Sequence, residues 1–353
     1  MPPVNGLLHQ LKRRIRKFKT AFAGPDLNTL LNGYRSTALL YLAAKLKIPD
    51  QLTHGPIAAA DLAKRLRVHP PSLHRLLRGL AAFGICTEDN EGHFQLTEMG
   101  NRLRSDSAGP EYSLALLNGE EYAPAWNHLL HSIQTGETAF DHAFNQTVWE
   151  HRESAPGMND AFNQWLQRGA GDAGRFLFEA YDFSPFKKIA DLGGGNGSLL
   201  AALLKKHSSA NGILFDQVHV LQVAEKNLEA AGVRSRCEFV PGNFFEHVPA
   251  GAEIYILKSI LHDWNDAQCA TILKNCAASL KPGNALLVIE KLLPNRATEN
   301  QSVVMSDLHM LAVTGGLERT AAEYGSLLQD AGFSLRKVIP LRTGHSLLEA
   351  IRV

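Results

Sequence analysis

His262 lies in the run Leu257-Lys258-Ser259-Ile260-Leu261-His262-Asp263-Trp264. An imidazole with an ordinary pKa near 6.5 can remove a hydroxyl proton at neutral pH. Upstream, Lys188 to Ser198 reads KIADLGGGNGS. An apolar strand ends at Asp191, the glycines Gly193, Gly194, Gly195 and Gly197 follow, and an apolar helical pattern starts at Leu199. A strand, a glycine turn and a helix start make the corner of a doubly wound sheet that holds a phosphate or carboxylate. Glycine suits the corner because a Cβ would keep a ligand off the backbone. A dinucleotide fingerprint requires G-x-G-x-x-G. Here the third position is Ser198 and the pattern is G-x-G-x-G, which need not approach a pyrophosphate. Asp216 ends the next apolar run, where a carboxylate can accept both hydroxyl hydrogens of a ribose. In Gly242-Asn243-Phe244-Phe245, an amide at 243 can meet an adenine amino group, and the Phe244 ring can cover the base.

These residues need a frame that brings them to one edge. Apolar runs at 189–191, 212–216, 237–240, 253–257 and 285–290 alternate with helical patterns. Alternation predicts a parallel sheet with helices on both faces. Two late runs, 334–339 and 346–353, flank a short Arg342-Thr343-Gly344 turn and predict a terminal antiparallel hairpin. His262 then follows the fourth strand, at the carboxyl end of the sheet, where ligands bind in such folds.

Four segments are expected: an extension (1–24), a winged helix (25–105), a helical pocket segment (106–186) and the cofactor domain (187–353). In the extension Leu8, Leu11, Ile15, Phe18 and Phe22 share a helical face, and six Lys and Arg residues fill the rest. Such a helix can lie on an anionic membrane; an arm packing on a partner subunit, or a frayed leader, is the favoured reading. It lacks the long apolar core and small-residue cleavage site of a secretory signal. Next, a helix at 27–46, an apolar run at 57–63, a helix from Leu73 to Phe83 begun at Pro71 or Ser72, and strands at 85–88 and 93–96 make the winged helix. Its second helix carries His74, Arg75 and Arg78, so it could enter a DNA groove. Dimerisation is favoured, because an enzyme-like domain follows and the helix from Leu27 is apolar on more than one side. Residues 106–186 are dense in aromatics. Trp126, Phe162 and Trp165, with His309 and Met310, are expected to line a flat acceptor pocket.

Composition narrows the class. The 353 residues carry a net charge of +1, which gives bulk electrostatics no bias toward nucleic acid. No apolar run reaches membrane-spanning length. Cys86, Cys237, Cys269 and Cys276 are scattered and show no C-x-x-C spacing, which fits reduced thiols in the cytoplasm.

The runs DLGGGNG, FDQ, GNFF, LKSILHDWND, VIEKLLP, DLHMLA and GGLERT together resemble the dimeric, metal-independent small-molecule O-methyltransferases. That group includes plant phenylpropanoid and bacterial polyketide and phenazine enzymes. The likeness covers everything past the first two dozen residues. It implies an α/β fold: a seven-stranded doubly wound class I methyltransferase sheet behind a mostly helical winged-helix dimerisation domain. It implies S-adenosylmethionine (SAM) as cofactor, a hydroxylated aromatic or polyketide-like acceptor, a homodimer and no metal. By the resemblance, Gly193 and Gly195 cradle SAM, Asp216 holds its ribose, Asn243 and Phe244 meet the adenine, and Lys258 lies beside it. His262 is the base, Glu290 and Glu318 orient it, and Met310 presses on the acceptor. The chain departs from the family pattern at Asn243, commonly an aspartate, and at Ser259, often a tryptophan in plant members. Competing readings are nitrogen as acceptor atom, SAM-assisted chemistry without methyl transfer, and a DNA-binding regulator. A metal-dependent methyltransferase is disfavoured, because no ligand cluster stands out near His262.

Overall fold

The computed structural model describes residues 26–169 and 173–353. The basic amphipathic segment expected at 1–24 lies outside the described residues. The chain divides into two compact units, the second running from Asp106 to Val353.

The first unit opens with α1 (Leu27–Lys45), which Asp26 caps by accepting from the Asn28 and Thr29 amides. Then come α2 (Ile48–Gln51), β1 (Ile57–Ala58), α3 (Ala59–Leu66), α4 (Pro70–Ala82), β2 (Cys86–Glu88), β3 (His93–Leu96) and α5 (Glu98–Asn101). The helix expected to start at Pro71 or Ser72 begins at Pro70, so both prolines lie in its first turn. Proline's fixed φ and missing N–H suit those positions. Leu73, Leu77 and Leu80 of α4 are buried. The wing gains a third strand, in the order β1-β3-β2. On α1, Leu27, Leu30, Leu31 and Tyr34 are all more than half exposed.

The second unit starts with α6 (Glu111–Leu117), a π-type turn over Asn118–Tyr122, α7 (Ala123–Asn127), α8 (Leu129–Thr135), α9 (Ala139–Phe144), α10 (Val148–Ser154), α11 (Pro156–Gly169) and α12 (Ala173–Ala180). The sheet region follows: β4 (Lys188–Leu192), α13 (Ser198–Lys206), β5 (Asn211–Asp216), α14 (Val218–Ala230), β6 (Cys237–Pro241), β7 (Ile254–Lys258), α15 (Asp266–Ser279), β8 (Ala285–Glu290), α16 (Gln301–Val313), α17 (Ala321–Asp330), β9 (Phe333–Pro340) and β10 (Ser346–Arg352). The strand order is β6-β5-β4-β7-β8-β10-β9. The first five are parallel, and β10 runs antiparallel to both β8 and β9.

Every residue of β8 is buried. A strand covered on both faces reads as a continuous apolar run, which is why the sequence shows it so clearly. One core holds Tyr255, Leu257, Leu273 and Tyr324, and a second holds Ile189, Leu204, Leu214 and Leu228. A third, smaller cluster gathers Leu117, Tyr122 and Phe140 with Trp126, Trp149, Phe162 and Trp165 packed against it. No described helix is long and apolar enough to cross a membrane.

Candidate active site

β7 ends at Lys258, and the chain then turns sharply, with Ser259 at φ 54. A left-handed side-chain-bearing residue marks a turn held by its surroundings. The Ser259 amide donates to the Ile289 carbonyl on β8. A single 3-10 turn, Leu261–Asp263, follows and carries His262. Two fixtures hold this turn. Glu290 Oε1, at the end of β8, accepts from the amides of Ile260 and Leu261, both at 2.9 Å. Arg319, almost wholly buried, donates to the carbonyls of Leu261 (3.0 Å) and Trp264 (2.8 Å) and is itself paired with Asp266. Gly316 packs so closely that a Cβ there would collide with the His262 carbonyl oxygen.

His262 Nδ1 lies 3.3 Å from Glu318 Oε1 and 3.6 Å from Glu290 Oε2; Nε2 lies 3.7 Å from Asp263 Oδ1. Glu290 and Glu318 are fully buried. Burial alone would lower the imidazole pKa, but Glu290, Asp263 and Glu318 outweigh it and raise it to about 10. The acids respond differently. Burial pushes Glu290 up against the opposing pull of His262. Burial also works against Glu318, but its hydrogen bond and charge pairing with His262, helped by Ser306 and Lys291, hold it below the usual range. The fold brings the three expected residues together: one atom each from His262, Glu290 and Glu318 lie within 4.8 Å of one another. The carboxylates reach His262 only because β8 and the loop before α17 converge, so local spacing could not show it.

The glycine corner also assembles. Gly195 N donates to Asp216 Oδ2 at 2.8 Å, and Gln217 N donates to Oδ1 at 2.7 Å. Asp216 thus ties the corner to the end of β5. Gly193 sits at φ 65, which strains any side chain, and a Cβ there would push on the Ile260 side chain at 2.5 Å. Gly195 (φ 57) faces open space. Asp191 Oδ2 is buried without a hydrogen-bond partner, and burial raises that carboxyl to about 7 despite the charge of Lys258. A buried acceptor with no donor fits a ligand that brings one. Asn243 is exposed, and its Oδ1 accepts from the Phe245 amide at 3.0 Å. Phe244 stands edge-on to Trp264, 5.9 Å between centroids.

Of the expected acceptor residues, Trp126 and His309 meet directly: Trp126 Nε1 donates to His309 Nδ1 at 3.2 Å. His309 is pushed down to about 4 by burial and by Arg152, Lys291 and His262, so its ring is neutral. Met310 is buried on the same helix. Phe162 and Trp165 are tilted neighbours, 5.9 Å apart. The sequence reading missed the charges among these rings. Arg152 Nη2 pairs with buried Glu121 at 2.7 Å, and its guanidinium lies 3.6 Å from the Phe162 ring centroid. A Glu and an Arg in polar stretches read as surface residues; only the π-type turn that carries Glu121 inward reveals the pair.

A doubly wound sheet with a terminal antiparallel pair, a G-x-G-x-G corner and an acid ending the next strand defines a SAM-dependent methyltransferase of the class I fold. The chain belongs to the O-methyltransferase family: residues 126–334 match its O-methyltransferase domain and residues 28–106 its dimerisation domain. It is 40% identical to the phenazine O-methyltransferase PhzM of Lysobacter antibioticus, over 91% of this chain and 94% of that one. It is 39% identical to the O-demethylpuromycin-O-methyltransferase of Streptomyces alboniger, over 92% of this chain and 88% of that one. Among solved structures it is similar to an O-methyltransferase from neocarzinostatin biosynthesis in complex with SAM and 2-hydroxy-5-methyl naphthoic acid: TM-score 0.80, 32% identity, covering 90% of this chain and 96% of that one. The protein is a SAM-dependent O-methyltransferase with a mostly helical N-terminal dimerisation domain.

Proposed function

We propose that the chain methylates a hydroxyl on an aromatic or polyketide-like small molecule, with His262 removing the hydroxyl proton. The carrying observation is the clamp on His262: Nδ1 faces Glu318 and Glu290, which leaves Nε2 as the nitrogen able to take a proton. The acceptor class is supported by the ring-lined segment of Trp126, Phe162 and Trp165. It is supported too by relatives named for phenazine and O-demethylpuromycin.

Gly193, Gly195 and Asp216 would hold SAM, with Asp191, Phe244 and Lys258 beside it and Asn243 at the adenine. When bound, SAM supplies a methyl group on a cationic sulfur, whose charge also disfavours an imidazolium nearby. His262 supplies proton removal, a contribution of about 10²–10⁴-fold. The surrounding carboxylates make the neutral ring a strong proton acceptor. Glu290 and Arg319 keep the ring in place, and an aligned approach supplies the larger share of the rate. Trp126, Phe162, Trp165, His309 and Met310 would shape the acceptor pocket.

The chain acts as a homodimer through its N-terminal unit. The exposed apolar residues of α1 and the match to a dimerisation domain support this. Four free, buried cysteines support a reducing, cytoplasmic setting.

The test is incubation with labelled SAM against a panel of hydroxylated aromatic and fused-ring compounds, with His262→Ala alongside. The variant binds SAM as the parent does and loses about 10²-fold or more in kcat. Undiminished turnover removes His262 as the base.

A further inference from the structure

Behind Glu318 stand two residues to which the sequence reading gave no role. Lys291 follows β8, and Ser306 lies on α16. Lys291 Nζ is 3.1 Å from Ser306 Oγ. Ser306 Oγ is 2.8 Å from Glu318 Oε1. That same oxygen is 3.3 Å from His262 Nδ1.

Proton directions along this chain are not free. An ammonium has three hydrogens to donate and no lone pair to accept with. Ser306 therefore accepts from Lys291, and its single hydrogen points to Glu318. An ionised carboxylate only accepts. Nδ1 must then be the donor in its bond with Glu318. On the other side of the ring, Asp263 Oδ1 at 3.7 Å from Nε2 is beyond hydrogen-bond range. Nε2 is left unclaimed.

We propose that Lys291 and Ser306 are positioning residues: acting through Glu318, they fix the neutral His262 ring as the Nδ1–H tautomer and leave Nε2 to take the acceptor's proton. This rests on the reading of His262 as the base. If Glu318 were protonated, the direction could reverse, with Glu318 donating to Nδ1 and the ring losing its basic Nε2. Lys291 opposes that protonation, consistent with the depressed Glu318 carboxyl. The other groups facing the ring are Glu290 from β8 and Asp263 from its own turn, with His309 on α16 and His345 before β10. Burial holds both of those histidines near 4, so they are neutral and cannot take over the role of Lys291.

The experiment is ¹⁵N-histidine labelling with long-range ¹H–¹⁵N spectra followed across the titration of His262, in the parent, Lys291→Met, Ser306→Ala, Lys291→Arg and Ser306→Thr. The parent shows the Nδ1–H pattern for the neutral ring. Lys291→Met and Ser306→Ala lose that preference. In Lys291→Met the ring also gives up its proton at higher pH, because Glu318 has lost a competing cation. Lys291→Arg and Ser306→Thr keep the parent pattern, which separates proton direction from simple packing. In turnover, the two disruptive variants lose roughly 10–100-fold in kcat with little change in KM for SAM. Parent-like spectra and an unchanged kcat–pH profile in both disruptive variants overturn the proposal. If His262→Asn alone retains full kcat, the base reading fails, while the tautomer spectra still decide the role of Lys291 and Ser306.

Discussion

Gly316→Ala adds one methyl group at a point where two backbone segments touch. A Cβ at 316 would overlap the His262 carbonyl oxygen and the Asp263 carbonyl carbon, and would sit 2.7 Å from Trp264 N. Carbon contacts settle at about 3.5–4.0 Å, so the segments must part by about an ångström. Neither side yields freely. Arg319 and Cys269 both hold the Leu261 and Trp264 carbonyls, and Gly316 N is bonded to Thr314 Oγ1 at 3.2 Å. Overpacking of this kind costs about 1–3 kcal/mol. For a unit of this size that lowers Tm by about 2–4 °C per kcal/mol. The larger effect falls on chemistry. An ångström of misplacement at a reacting group costs about 10²-fold, or near 2.7 kcal/mol of barrier. The glycine corner at Gly193–Gly197, proposed above to hold SAM, lies outside the strained contact, so affinity for SAM is expected to hold. The assay is steady-state kcat on an acceptor found in the panel, with calorimetric SAM binding and a thermal melt on the same preparation. Parent-like kcat in a folded, SAM-binding Gly316→Ala would refute the claim that the 262–264 backbone is fixed by this contact.

Arg152→Ala leaves Glu121 charged, buried and unpaired, and lowers stability by about 3–5 kcal/mol; Arg152→Leu with Glu121→Leu recovers most of it, as denaturant midpoints will show. Asp191 carries a pH signature. Its folded pKa, raised to about 7, lies above the ordinary value of 3.8, so the stability it contributes is full below about 3.8 and is lost as pH rises toward 7. Asp191→Asn is therefore the more stable protein at pH 8 by a few kcal/mol. The gap closes on acidification, and urea melts at pH 5 and pH 8 measure it. A gap independent of pH would rule out the buried acid as its source.

Much of the sheet was visible because a strand buried on both faces has little choice but to be apolar, as in β5 and β8. The hairpin was visible for the same reason at Leu347, Leu348 and Ala350. β1 was not, since a two-residue strand carries no period to detect. The start of α4 was placed a residue or two late, because either proline of the pair can serve as the first helical residue. At the site, His262 and the glycine corner stood out through local spacing. Glu290 and Glu318 were reached by resemblance, since nothing in VIEKLLP or GGLERT says that an acid points inward. Arg152, Glu121 and Ser306 escaped altogether, and Lys291 was given no role within VIEKLLP. Their polarity predicts exposure, and only the tertiary path that brings distant segments beside them makes Arg152 and Glu121 a buried pair and sets half-buried Lys291 and Ser306 behind Glu318.

Strand β10 slots between β8 and β9, and its first residue, Ser346, lies in register with Glu290. Before that strand docks, β8 has an open flank and Glu290 lacks the neighbour that walls it in. Pairings this far apart along the chain form slowly, because a long loop must close before they are rewarded. A chain that has built β4 to β8 but not the hairpin has the glycine corner in place, while its Glu290 lacks one wall of the burial that raises its carboxyl. On the proposed roles, the corner that holds the methyl donor would then be complete before the clamp on His262 is.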